Sequence, residues 1–124
     1  MQPETLTPAV LVVDDDPDIA RLVGSYLKRV GFDAEWASDP DVAQEAARRR
    51  PFHLLLMDYQ LSGQTGLEVA QQLQRIQSQR IPVVVMTAHT SVETVVAALR
   101  AGAADFVTKP FELSLLQMVV KRVI

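Results

Sequence analysis

Short apolar runs separated by stretches of helical period leave this chain few folds to choose from. Ala9–Val13, Leu54–Met57 and Ile81–Met86 are four to six residues long and bounded by turn residues. Runs that short read as strands buried on both faces, the pattern of a parallel sheet covered by helices. Phe32 to Ala37 alternates apolar and polar residues, as a strand with one solvated face would, and Ala104 to Thr108 reads as a fifth strand. Between them, apolar residues recur at helical spacing. The first set is Ile19, Leu22, Val23, Tyr26, Leu27 and Val30, with Pro17 suited to the first helical position behind an acidic N-cap and Gly31 as a stop. A second helix is expected from a Ser38 or Asp39 cap through Arg48, with a close-packing face of Ala43, Ala46 and Ala47. Leu67, Ala70, Leu73 and Ile76 mark a third, and Val92, Val95, Val96 and Leu99 a fourth that Gly102 stops. Leu116, Val119, Val120 and Val123 mark a fifth. Five strands alternating with five helices imply a doubly wound (βα)5 α/β sandwich of three layers, flavodoxin-like in topology. Right-handed crossovers make 2-1-3-4-5 the expected order of its parallel sheet.

That topology sends the C-terminal end of every strand to one edge. The edge collects Asp14, Asp15 and Asp16 from the first strand, Asp58 from the third, Thr87 from the fourth and Lys109 from the fifth. Taken alone, Asp58 reads as a strand-ending acid that hydrogen-bonds its own loop. The convergence is what makes it a candidate site. Several carboxylates in one cleft repel one another unless a cation sits among them. The chain has no cysteine, so an all-oxygen donor set points to a hard ion, Mg²⁺, Mn²⁺ or Ca²⁺. A lysine and a threonine hydroxyl opposite such an ion suit an oxyanion, the job these groups do in phosphoryl transfer. Asp58 could then capture the phosphoryl group as an acyl phosphate.

Composition narrows the partners. With 124 residues, 48% hydrophobic and 22% charged, the expectation is one globular domain at 9–124 behind a loose polar lead-in at 1–8. A formal net charge of −3 offers no basic surface for nucleic acid. Arg48-Arg49-Arg50 is sufficiently explained by the C-terminal dipole of the second helix. The absence of disulfides permits a reducing compartment. No apolar run approaches the ~20 residues that span a bilayer and no leader pattern opens the chain, so the expectation is a cytoplasmic protein with no membrane partner.

Four motifs in order, Val10-Leu-Val-Val-Asp-Asp-Asp-Pro17, Leu54-Leu-Leu-Met-Asp58, Val84-Val-Met-Thr-Ala88 and Ala101-Gly-Ala-Ala-Asp-Phe-Val-Thr-Lys-Pro-Phe111, resemble the receiver domain of two-component response regulators. The stretch from Thr87 to Phe111 looks closest to receivers of transcriptional regulators of the nitrogen-regulation and nitrogen-fixation groups. The resemblance implies that Asp58 accepts phosphate from a sensor histidine kinase or phosphotransfer protein, with Mg²⁺ (or Mn²⁺) as cofactor. It implies that Asp14 and Asp15 are the acidic pair, Asp15 the more direct metal ligand, with the Gln60 backbone carbonyl another. Thr87 would bond the phosphoryl oxygen, Lys109 would pair with it, and Phe106 would be the switch aromatic. Lys109-Pro110 would be the family's cis peptide, which only an X-Pro bond makes cheap. Such a domain is a switch and not an enzyme, catalysing only its own phosphorylation and dephosphorylation. Its output surface would be the fourth helix, fifth strand and fifth helix, where phosphorylation could also make a homodimer. Transcription and DNA binding would belong to an output domain outside this chain.

Some residues are read apart from that resemblance. The loop after Asp58 carries Ser62 where many receivers have proline, and Asp16 reads as a helix N-cap. Trp36 is expected to pack, far from Asp58, and not to report on phosphorylation. The side chains of Gln60 and His89, two residues beyond Asp58 and Thr87, are read either as setting the acyl phosphate's lifetime or as two exposed loop residues. Val92, Val95, Val96 and Leu99 exceed what one buried helix face needs; spare core is the adopted reading, with a dimer or effector surface as the alternative. Two rival functions remain. Asp14-x-Asp16 resembles the nucleophile motif of haloacid-dehalogenase-type phosphatases, but that leaves Asp58 unexplained. A flavodoxin-like cofactor binder would need a phosphate-binding loop where this chain has three aspartates. A receiver that has lost phosphorylation is a weaker possibility, since every required side chain is present.

Overall fold

Leu54 to Met57 are all buried, and alternate residues point to opposite faces of the sheet, which divides the core in two. The computed structural model describes residues 7–61, 63–88, 91–109 and 112–124. Strands β1 (Ala9–Val13), β2 (Asp33–Ala37), β3 (Leu54–Asp58), β6 (Val83–Thr87) and β7 (Asp105–Thr108) form one parallel sheet. Its order is β2-β1-β3-β6-β7, which is 2-1-3-4-5 when only the sheet's own strands are counted. Two further strands, β4 (Gln60–Leu61) and β5 (Gln64–Thr65), make a small antiparallel hairpin directly after Asp58. This pairing was not expected from the sequence, where Gly63 and Gly66 suggested only a loop.

Leu11, Val13, Leu55, Met57, Val83 and Val85 face helices α2 (Pro40–Arg49) and α3 (Gly66–Gln77), with Ala98 of α4 (Val92–Arg100) in the same cluster. Val10, Val12, Leu54, Leu56, Val84 and Met86 face α1 (Pro17–Arg29) and α5 (Leu113–Val123). These are the three layers the alternation implied. Helix starts follow local chemistry. Asp16 caps α1 by accepting from the Asp18 N–H, with Pro17 at the first position. Asp39, of the two candidates, caps α2. Thr65 and Glu68 form a capping box on α3, a T-x-x-E signal readable in the sequence.

Three expectations need correction. The arginine run does more than meet a helix dipole: Arg49 pairs with Glu35 at 2.6 Å and Arg50 with Asp33 at 2.8 Å, tying α2 to the outer strand β2. Spare core does not describe Val96 and Leu99 of α4, which are exposed, while Ala98 of the same helix is buried. Trp36 is not packed away either, since 44% of its surface is exposed.

Gly66 shows how tightly the site loop is folded. Its N–H donates to the Tyr59 carbonyl at 2.8 Å. A Cβ there would run into the Asp58 carbonyl oxygen and come within 3.2 Å of the Met57 Cβ. Gly24, in mid α1, faces open space. Gly66→Ala is therefore predicted to destabilise by about 1–3 kcal/mol through overpacking, while Gly24→Ala gains about 0.5–1 kcal/mol from helix propensity. Urea denaturation of both variants checks the pair; equal effects would contradict the close approach.

Candidate functional site

Backbone bonds between strands place the site residues side by side. Asp14 follows the last residue of β1 and donates its N–H to the Ala37 carbonyl at 3.2 Å. Asp58 ends β3 in register with Met86, and Tyr59 donates to the Met86 carbonyl at 2.8 Å. Thr87 ends β6, buried, and its carbonyl accepts the Lys109 N–H at 2.7 Å. Sheet order reverses beside β1, so this edge is the topological switch point where open α/β sheets bind ligands.

Side chains complete the convergence. Lys109 Nζ lies 2.7 Å from Asp14 Oδ2 and 3.6 Å from Asp58 Oδ1, so one ammonium bridges two strands' acids. Asp14 is fully buried and its other oxygen, Oδ1, accepts the Asp16 N–H at 2.9 Å. Asp15 is exposed. Asp14, Asp15 and Asp58 each offer an oxygen, all within 4.8 Å of one another. Three carboxylates against one ammonium leave two negative charges, and an all-oxygen donor set of that charge fits a hard divalent cation. Burial pushes the Asp58 carboxyl above its ordinary range, and the charges of Asp14 and Asp15 push the same way. The Lys109 ammonium and a hydrogen bond from the Gln60 backbone pull it back.

Asp58, Asp14, Asp15, Thr87 and Lys109 are thus gathered at one edge, as expected. Asp16 is the helix cap and not a site acid. Phe106 is partly buried, packed against the core on the α2–α3 side. The Gln60 side chain is exposed in β4. His89, Pro110 (with the cis peptide expected at Lys109-Pro110) and Ser62 lie outside the described residues. Two participants were missed. Gly66 is required by the close approach to the Asp58 carbonyl, and the Trp36 indole N–H donates to the Asp14 carbonyl at 2.8 Å. Nothing in the local sequence signals either contact, because both join residues distant along the chain or brought close by the hairpin. The phosphatase rival fails on geometry: a fully buried Asp14, held through both carboxylate oxygens, cannot act as an exposed nucleophile.

The chain is thus a doubly wound α/β domain with a lysine-bridged acidic cluster at its switch point. The response regulator receiver domain model matches residues 10–121, and the chain belongs to that family. It is 40% identical over 116 residues to the nitrogen assimilation regulatory protein NtrX of Azorhizobium caulinodans, covering 91% of this chain and 25% of that protein. The chain therefore spans about a quarter of that relative's length. Among solved structures, the chemotaxis protein CheY4 of Vibrio cholerae superposes with a TM-score of 0.87 at 28% identity, covering 95% of this chain and 99% of that one. A Burkholderia pseudomallei response regulator, solved with a phosphorylated aspartic acid, calcium ion and citrate, superposes with a TM-score of 0.79 at 26% identity, covering 90% and 65%. No helix among the described residues is long and apolar enough to cross a membrane.

The raised Asp58 pKa carries a stability consequence. A carboxyl raised in the folded state favours folding while protonated, below its unfolded pKa, and that contribution is lost as pH rises through the raised value. Asp58→Asn, which leaves the Lys109–Asp14 pair in place, is predicted to raise the metal-free melting temperature at neutral pH. The gain should vanish in acid, where Asp58 is already protonated. Calorimetry at both pH values checks this, and a variant no more stable than its parent at neutrality contradicts it.

Proposed function

We propose that the domain is a phosphorylation-dependent switch, with Asp58 accepting a phosphoryl group from a sensor histidine kinase or phosphotransfer protein. The observation that carries the reading is the Lys109 ammonium set between Asp14 and Asp58 beside the acidic cluster. The ionised Asp58 oxygen attacks phosphorus, the phosphorus–nitrogen bond of the donor phosphohistidine breaks, and its electron pair leaves on the imidazole. Mg²⁺ (or Mn²⁺) held by Asp14, Asp15, Asp58 and the Gln60 carbonyl would supply charge neutralisation for the incoming phosphoryl oxygens. Lys109 offers a charged donor to one of those oxygens, and the Thr87 hydroxyl a neutral one. The Burkholderia pseudomallei regulator, of the same fold and solved with a phosphorylated aspartic acid and a calcium ion, supports this chemistry.

Movement of Thr87 toward the phosphoryl group lets Phe106 repack and alters the surface of α4, β7 and α5. Val96, Leu99, Leu115 and Met118 are exposed on those helices, which favours an effector or homodimer surface there. The receiver is taken as residues 9–124, and DNA binding and transcriptional output as the work of an output domain beyond it. The cytoplasm is its proposed compartment.

Two tests follow. Incubation with Mg²⁺ and a small phosphodonor should add ~80 Da, the mass of one phosphoryl group, and Asp58→Ala should abolish the gain. A gain that survives Asp58→Ala, or none in the parent, contradicts the reading. Gln60→Ala and His89→Ala are predicted to change the decay of the phosphorylated form; unchanged decay in both would return these side chains to ordinary loop residues.

A further inference from the structure

Trp36 occupies an odd position for the chain's single tryptophan. It stands on β2, the outer strand, with 44% of its surface exposed, so burial does not account for it. Its indole N–H reaches across to the Asp14 carbonyl at 2.8 Å. Asp14 is thereby held at every hydrogen-bonding group: its N–H by the Ala37 carbonyl, its carboxylate by the Asp16 N–H and Lys109, and its carbonyl by Trp36. The last of these bonds fixes the plane of the peptide joining Asp14 to Asp15. On the far side of Asp15, the Asp16 N–H is tied back to Asp14 Oδ1 at 2.9 Å. Asp15, the exposed member of the acidic cluster, therefore projects from a backbone anchored before and after it.

We propose that Trp36 is a positioning residue for the acidic site, holding the Asp14–Asp15 peptide so that the Asp15 carboxylate faces Asp58 before a divalent cation arrives. This rests on the reading of Asp14, Asp15 and Asp58 as a cation site. A small ion that demands near-ideal octahedral geometry gains most from ligands set in advance. Without the indole N–H, the peptide plane is free to turn about the Asp14 backbone, and cation binding must order it again.

The experiment is calorimetric titration of the protein with Mg²⁺ alone, in three forms. Trp36→Phe removes the donor together with part of the ring. Because the chain has one tryptophan, supplying benzothienylalanine in its place replaces only the N–H by sulfur, and 5-fluorotryptophan keeps the donor as a control. Loss of one neutral hydrogen bond worth about 1 kcal/mol predicts about fivefold weaker Mg²⁺ binding for the first two forms, with parental affinity for the fluorinated protein. Thermal melting without metal runs alongside. Unchanged Mg²⁺ affinity in the donor-less forms, whatever their melting temperature, overturns the proposal and leaves Trp36 as a fastening of the outer strand. Failure of the parent itself to bind Mg²⁺ overturns the cation-site reading, and this inference with it.

Discussion

The Lys109–Asp14 ion pair is the contact on which the rest of the site depends. Asp14 is fully buried, and an unpaired carboxylate there would be costly. At an effective dielectric constant of 20, two carboxylate charges 4.8 Å apart repel by about 3.5 kcal/mol, and oxygens of Asp58 and Asp14 lie within that distance. One ammonium at 2.7 Å from the first and 3.6 Å from the second offsets that repulsion without eliminating it. Asp58 keeps a raised pKa because burial outweighs the lysine. The site is consequently held together while remaining short of positive charge, the condition under which a divalent cation is drawn in.

Rigidity is distributed unevenly around that pair. Asp14 is locked by backbone and side-chain bonds from β2, α1 and the residue after β7. Gly66 presses α3 and the small hairpin against the Asp58 backbone, so the loop after Asp58 is tightly packed at its base. The far side is looser. Among the described side chains of α4, Ala98 alone is deeply packed, whereas α5 buries Leu116, Val119 and Val120 and shows Leu115 and Met118 to solvent. A change at Thr87 or Phe106 would thus meet less resistance toward α4 than toward β1. This asymmetry suits a switch that must keep its chemistry fixed while its outer surface changes.

Much of this was legible from residue order. Leu54–Met57 read as a doubly buried strand, and Pro17 behind Asp16 suited the start of a helix. Parallel topology then forced Asp14, Asp58, Thr87 and Lys109 to one edge without any contact being known. What stayed hidden depends on distances across the fold. Trp36 looked like packing because its partner, the Asp14 carbonyl, is a backbone atom 22 residues earlier. The arginine run looked like helix capping because Glu35 and Asp33 belong to another element. Val96 and Leu99 looked like spare core because periodicity reports a face's apolarity and not what lies opposite it. The hairpin after Asp58 is too short to leave a pattern.

On the proposed function, Asp58, and no other acid of the cluster, becomes the acyl phosphate. Borohydride reduction of the phosphorylated protein, followed by peptide sequencing by mass spectrometry, locates that bond directly, since an aspartyl phosphate is reduced to homoserine. Homoserine is expected at position 58 alone, dependent on Mg²⁺ during phosphorylation. Homoserine at position 14 or 15, or at 58 with no need for a divalent cation, would contradict it.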